Sequence, residues 1–271
     1  MIVNHLIDPK RFPYKVLNAP TPDRGGVLLP RFIVMHYTAG WTASSAVDTL
    51  IDGKDGKKVS AHVVVDTDGT VYQLAPFNVV TFHAGPSVYK GNNGLNNAAI
   101  GIEIVNPGFL KKIGDNIFVD AYGSKRVIPN WKDELLEAKH ARVGSGVYYW
   151  PLYTSRQLDA VEKLTKALIS TYTILDIVSH EEIDTRGWKT DPGPAFPMSR
   201  FKDLLPDTAD SFKYRVTSST LNVRGGPGTA YKILKEIKQG IVVEISDITG
   251  EWGKLENEDG YINLKFAKQV G

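Results

Sequence analysis

Residues 31–39 read RFIVMHYTA, an unbroken apolar run from Phe32 to Met35 that stops at His36. A run this short and this apolar reads as a buried strand, with the histidine near its end. Working outward, TASSAVDTLID at 42–52 has helical spacing in Ala46/Leu50 and Val47/Ile51. SAHVVVDTDGTVYQL at 60–74 reads as a hairpin with its turn at Asp68-Gly69. AAIGIEIVN at 98–106 alternates as a strand, placing Ile100, Ile102 and Ile104 on one face and Glu103 on the other. Thr154 and Gln157 have capping-box spacing ahead of a stripe of Leu158, Val161, Leu164 and Leu168. Strands alternating with helices predict a mixed α/β sheet flanked by helices. The first 30 residues, with APTPDRGG at 19–26, read as an irregular lead-in.

Beyond a polar, Pro-containing stretch the pattern changes. From Tyr214 onward there are only short alternating segments and Gly-rich turns, with no stripe of helical length. This predicts a large domain over 1–205, a linker at 206–213 and a small all-β barrel over 214–271, of the size that closes its own edges.

Composition bounds the chemistry. At 271 residues with 42% hydrophobic content, the chain can build a large core. A net charge of +2 does not indicate a nucleic-acid surface. Cysteine is absent, which removes disulfides, thiol nucleophiles and thiolate ligands and leaves any metal to histidine and carboxylate. In MIVNHLIDPKRFPY at the N-terminus, His5 and Asp8 interrupt what a signal peptide would need to keep apolar. No apolar run reaches membrane-spanning length. These features predict synthesis in the cytoplasm, no stable membrane insertion and some assisted route to any target outside.

The polar residues at strand ends carry the chemistry. His36 ends one apolar run, His180 ends another (LDIV at 175–178), and Asp191 follows in HEEIDTRGWKTDPGPAFP, 180–197. Two imidazoles and a carboxylate make a catalytic zinc set that leaves one position for water. Singly, each has an ordinary alternative: a strand-end histidine is often a hydrogen-bonded structural residue, and Asp before Pro is often a turn former. Glu103 interrupts an apolar strand, where burial without a partner is costly. It reads either as a catalytic carboxylate or as the solvent-facing residue of an edge strand. Lys189, two residues before Asp191, could likewise be a solvated loop cation, the usual case for lysine.

Taken in order, HYTAG at 36–40, SAHVVVDTDGTVYQL at 60–74, FHAG at 82–85, IGIEI at 100–104 and SHEEI…KTDPGPAFP at 179–197 resemble the type 2, zinc-dependent N-acetylmuramoyl-L-alanine amidases. These are relatives of the peptidoglycan recognition proteins. The resemblance implies hydrolysis of the amide between the lactyl group of N-acetylmuramic acid and the first L-alanine of the stem peptide. It further implies Zn2+ on His36, His180 and Asp191, Glu103 as the catalytic carboxylate and Lys189 beside the scissile carbonyl. His83 would lie on the substrate side or behind the ligands and His62 would be structural, while His5 and His140 are expected at the surface. A non-catalytic peptidoglycan receptor on the same fold is the second reading.

The chain departs from the compact family pattern over about 108–153, an insertion containing Trp131, Tyr148, Tyr149 and Trp150. It reads as a groove wall that stacks on substrate or as a hairpin flap over the sheet. LNVRGGPG at 221–228, GEWGKL at 250–255 and GYINLKF at 260–266 resemble bacterial SH3-like domains found beside cell-wall hydrolases. That resemblance implies wall binding, with Tyr231 and Trp252 as candidate contacts. The expected partner is peptidoglycan, the expected state a monomer, and the expected setting a phage-type lysin or a wall-remodelling hydrolase.

Overall fold

A computed structural model describes residues 1–53, 58–205 and 212–270. The chain divides into two compact units, Met1–Leu205 and Pro206–Gly271. Most of the expected linker at 206–213 lies outside the described residues, and Phe212 already begins a strand of the second unit.

The first unit opens with β1 (Ile2–Val3) and β2 (Leu6–Ile7), a small antiparallel pair, followed by β3 (Val16–Asn18). Next come β4 (Phe32–Tyr37), α1 (Ala43–Asp52), β5 (Val63–Val65), β6 (Val71–Gln73), β7 (Val88–Tyr89), β8 (Asn92–Asn93) and β9 (Ala99–Ile104). The insertion contributes β10 (Lys111–Lys112), β11 (Ile117–Val119), β12 (Lys125–Val127), the single turn α2 (Trp131–Glu134), β13 (Leu135–His140) and β14 (Gly144–Pro151). The unit closes with α3 (Ser155–Ile169), β15 (Asp176–Ser179), α4 (His180–Ile183) and α5 (Met198–Lys202). Six strands form the central sheet in the order β15-β4-β9-β5-β6-β3. β15, β4, β9 and β5 run parallel, and β5 and β6 form the antiparallel hairpin expected at Asp68-Gly69.

The lead-in is less irregular than its Pro and Gly content predicts. Val16–Asn18 adds to the sheet edge parallel to β6, because an edge strand needs only one hydrogen-bonded side.

The two faces of the sheet differ. Ile33, Met35, Ile100, Ile102 and Ile104 meet the Ala160, Val161, Leu164 and Leu168 stripe of α3 in one fully buried core. Each such side chain contributes roughly 1.5–3 kcal/mol by leaving water. On the opposite face, Val64 packs beneath Ala43, Ala46, Val47 and Leu50 of α1, while Phe32 and Val34 pack with Val178 and Ile183. His36 and Glu103 share that second face as register partners. β9 lies between β4 and β5, so Glu103 is on an interior strand and the edge-strand alternative does not hold.

The predicted capping box at Thr154 forms only by half. Thr154 accepts the Gln157 N–H, but the Gln157 side chain donates to the Val65 and Val105 carbonyls at the carboxyl ends of β5 and β9. These two backbone acceptors are buried and outcompete the exposed cap. A complete capping box sits elsewhere, between Ser179 and Glu182 at the start of α4.

In the insertion, β10, β11 and β12 form one three-stranded sheet and β13 and β14 form a hairpin. Phe118 and Leu110 are its buried centre, with Trp131 and Tyr149 packed against them. The second unit is a seven-stranded antiparallel sheet built from β16 (Phe212–Val216), β17 (Thr220–Arg224), β18 (Ile233–Lys238), β19 (Val242–Thr249), β20 (Trp252–Leu255), β21 (Tyr261–Asn263) and β22 (Ala267–Gln269). Its order is β18-β17-β21-β20-β19-β16-β22, so among the described residues β18 and β22 are edges and no hydrogen-bonded seam closes the barrel. Lys235 and Lys238 on β18 blunt that edge.

Candidate active site

The carboxyl ends of three adjacent parallel strands, β15, β4 and β9, deliver the site, which is where open α/β sheets place their ligand crevices. His36 is the penultimate residue of β4. His180 follows β15 directly, its backbone set by the Ser179 capping box. Asp191 arrives from the loop after α4, and the Glu181 N–H holds its carbonyl at 3.1 Å.

Three atoms converge. His36 Nδ1 and His180 Nδ1 are 2.9 Å apart, and Asp191 Oδ2 lies 3.0 Å from the first and 2.9 Å from the second. All three residues are buried. The hydrogen bonds around them fix which nitrogens carry protons. His83 Nε2 lies 3.2 Å from the Ala99 carbonyl and must donate to it, which leaves His83 Nδ1 as an acceptor. His36 Nε2, at 2.9 Å, donates to that acceptor and turns a bare Nδ1 toward the triangle. His180 Nε2 donates to the Ala84 carbonyl at 3.2 Å, so a neutral His180 also turns a bare Nδ1 inward.

Two imidazole lone pairs and a carboxylate oxygen in mutual contact repel one another unless a cation or a proton lies among them. Burial and the neighbouring His180 lower the His36 pKa to about 4, so at neutral pH His36 brings no proton. Burial pushes the Asp191 carboxyl up, but the His180 and His36 rings outweigh it and hold the group well below the usual carboxylate range. A tetrahedral zinc at ~2.0–2.1 Å from each atom needs ligand atoms ~3.3 Å apart, close to what is found. The donor set therefore fits a divalent cation with one open position.

Glu103 stands beside His36 across the β4–β9 ladder. Its Oε2 is buried with no hydrogen-bond partner. Burial and then the Asp191 charge push its pKa up to about 8, against the pull of the Lys189 ammonium. A carboxyl poised this way takes and returns protons near neutral pH.

The sequence-predicted residues divide cleanly. His36, His180 and Asp191 meet, and the Lys189 ammonium is near enough to Glu103 to pull its pKa down against burial. His83 does not face a groove. It is buried behind His36, bonded at both ring nitrogens and pressed against Gly101, where any Cβ would come within 2.5 Å of the ring. His83 has no free polar atom for substrate, which corrects the substrate-side alternative. His62 is bonded to the Val79 carbonyl through Nε2 and to the Gly101 N–H through Nδ1. His5 is exposed, bonded to the Tyr172 hydroxyl. His140 is not a free surface residue: its Nε2 donates to Glu181 Oε2 at 3.0 Å and its ring lies 5.3 Å from that of Trp150. In the second unit Tyr231 is half exposed over Gly226, and Trp252 is partly buried on β20.

Asp184 was not expected to matter. Its buried carboxylate accepts the Trp188 and Lys189 N–H groups, each at 3.0 Å, and the Arg186 Nε. Burial opposes its ionisation, yet these donors lower its pKa to about 2. Only the Asp-Thr-Arg-Gly run at 184–187, a turn-forming composition, signalled it in the sequence.

The family described as N-acetylmuramoyl-L-alanine amidase matches residues 27–194, more than half of the chain. The chain belongs to that amidase family. The bacterial SH3 domain family matches residues 219–265. Among curated relatives, the N-acetylmuramoyl-L-alanine amidase AmiD of Escherichia coli K12 is 29% identical over 179 residues, 63% of this chain and 51% of AmiD. The 1,6-anhydro-N-acetylmuramyl-L-alanine amidase AmpD of Salmonella typhimurium LT2 is 28% identical over 150 residues, 55% of this chain and 58% of AmpD. The chain thus spans between half and three-fifths of these relatives. A crystal structure of a selenomethionine AmpD derivative has the same fold, with a TM-score of 0.52 at 21% identity over 76% of this chain and 99% of that one.

Proposed function

We propose that this amidase-family chain hydrolyses the amide joining the lactyl group of N-acetylmuramic acid to L-alanine in peptidoglycan. The observation that carries this reading is the buried triangle of His36 Nδ1, His180 Nδ1 and Asp191 Oδ2 beside an unpartnered carboxyl, Glu103. Bound there, zinc would supply a Lewis acid for the scissile carbonyl and acidify a water. His83 and the Ala84 carbonyl hold the two imidazoles in the tautomers that present Nδ1. Glu103 takes a proton from the attacking water and returns it to the departing amine nitrogen. Lys189 stabilises negative charge on the carbonyl oxygen, a role in which one donor contributes roughly 3–4 kcal/mol. A receptor that only held peptidoglycan would have no use for a partnerless carboxyl on an interior strand.

Mass spectrometry of the products from one defined muropeptide tests the reaction. Release of intact stem peptide with a free L-alanine amine, abolished by chelation and restored by zinc, is the expected result. Full turnover after exhaustive chelation would sink the zinc assignment.

The SH3-family unit supports action on intact wall, where binding raises local concentration, with Tyr231 and Trp252 as contacts. Removing residues 212–271 is expected to leave turnover of a soluble muropeptide nearly unchanged. Activity on whole sacculi should fall, toward the lower end of the ~10²–10⁴-fold gains available to tethered sites. Equal losses on both substrates would assign the unit to the catalytic groove instead. Among the described residues no helix is long and apolar enough to cross a membrane. A lysin or wall-remodelling role, reached by assisted export or lysis and carried out as a monomer, is the setting that fits this reading.

A further inference from the structure

We propose that Arg142, at the tip of the β13–β14 hairpin in the insertion, is a positioning residue for Lys189 in the loop that leads to Asp191. The inference rests on the amidase reading for its kinetic consequence, but its geometry stands without it. Arg142 Nη1 donates to the Lys189 carbonyl at 2.9 Å. The same guanidinium faces two carboxylates, with Nε 3.6 Å from Glu181 and Nη1 3.9 Å from Asp184.

Those partners make the contact more than a surface pair. The Asp184 side chain is fully buried and accepts the Lys189 N–H. Both backbone polar groups of Lys189 are therefore held, its N–H by Asp184 and its C=O by Arg142. With the peptide planes on either side of Lys189 fixed, the direction in which its side chain leaves the backbone is fixed as well. Glu181 follows ligand His180 in sequence, and its backbone N–H holds the Asp191 carbonyl. His140, from the same hairpin, donates to the other oxygen of Glu181. Lower in the hairpin, the Trp150 ring covers Gly193, where a Cβ would come within 2.7 Å of it. The hairpin thus grips the ligand loop at Glu181, Lys189 and Gly193. An arginine suits the central position because its planar fork spreads donors over two carboxylates and a carbonyl, which a lysine's single ammonium does less well.

A displacement of the order of 1 Å at a catalytic group can cost ~10²-fold in rate. Arg142→Ala is expected to lower kcat on a soluble muropeptide by roughly 10–100-fold, with KM within about twofold and zinc content unchanged. Arg142→Lys should recover part of the loss. In a Lys189→Ala background the same Arg142→Ala change should cost little more, because groups acting through one another are not additive.

A second measurement does not depend on activity. Amide hydrogen exchange of the metal-free and zinc-loaded protein should show faster exchange in Arg142→Ala over 184–193, with the α3 core unchanged. Equal kinetic losses with and without Lys189, or unchanged exchange over 184–193, would overturn the proposal. Faster exchange in a protein whose wild type leaves muropeptide intact would uphold the positioning role and reject the amidase reading.

Discussion

The two faces of the central sheet are made by alternate residues of the same strands, yet they obey opposite rules. On the α3 face, Ile33, Met35, Ile100, Ile102 and Ile104 meet leucines and alanines, and every group there gains by leaving water. On the other face, at the carboxyl ends of the strands, His36 and the Oε2 of Glu103 bring polar atoms into the interior while Gly101 leaves room for the His83 ring, and each such polar atom costs free energy unless it is partnered. The imidazoles are partnered through His83, Ala84 and Ala99, whereas Glu103 Oε2 and the crowded acceptor triangle are not. The unpartnered polarity of the second face is therefore concentrated in a few atoms, and these are the atoms that the proposed reaction uses. One face is packed throughout, while the other, packed at Phe32, Val34 and Val64, also carries the side chains whose arrangement fits a cation.

The sharpest break in this comparison is at His36. His36→Ala is expected to abolish zinc retention and to lower amide hydrolysis by more than ~10³-fold, while circular dichroism reports an intact fold. Zinc content measured on the purified variant decides it, and a stoichiometric metal would remove His36 from the ligand set. Next in size is Glu103→Gln, which should keep zinc and lower turnover by on the order of 10²–10⁴. Unchanged turnover would make Glu103 a structural carboxyl and require another proton carrier. On the opposite face, Leu164→Ala should cost about 2–5 kcal/mol of stability by opening a cavity under the sheet. Because Leu164 lies in the α3 core, kcat and zinc affinity at 25 °C should stay within about twofold of wild type if that face serves stability alone. A matching loss of metal affinity would show that the two faces are mechanically coupled.

Most of the α3 face was legible in the sequence, because hydrophobic periodicity is a local signal: the Leu158–Leu168 stripe and the Ile100/102/104 alternation each report on one segment. The residues of the site were legible for a different reason, since His36 and His180 are polar residues that end apolar runs and Asp191 follows the second of them in its loop. What could not be read is what depends on contacts between distant segments. His83 touches His36 across 47 residues, and its burial behind that ring leaves no periodic trace. Gln157 has cap spacing, but tertiary acceptors on Val65 and Val105 claim its side chain. Arg142 looks like any solvated cation until the hairpin folds back onto Lys189. The edge strand Val16–Asn18 was hidden by neighbouring prolines, which an edge tolerates and an interior strand does not.

The smallest effect probes the polar face without any substrate. In the metal-free protein the Glu103 pKa is raised by burial to about 8, above its unfolded value, so between the two values the folded state binds the extra proton. Stability must then fall as pH rises through that window, since the slope follows protons bound by the unfolded state minus protons bound by the folded state. His36 and His62 have folded pKa values lowered to about 4, and burial lowers His83 as well; these groups act in the opposite sense, an effect that fades about one pH unit above the ordinary histidine value of ~6.5. Between about pH 7.5 and 8 the histidine contribution is largely spent and Glu103 is left. Urea melts of the metal-free protein across that interval should lose stability with a slope of up to ~1.4 kcal/mol per pH unit, the limit for one proton. Glu103→Gln should flatten the slope, and zinc should flatten it too by placing positive charge beside the carboxylate. A slope that persists in Glu103→Gln would mean that a different buried group carries the proton, and the partnerless carboxyl would lose its claim to be the base.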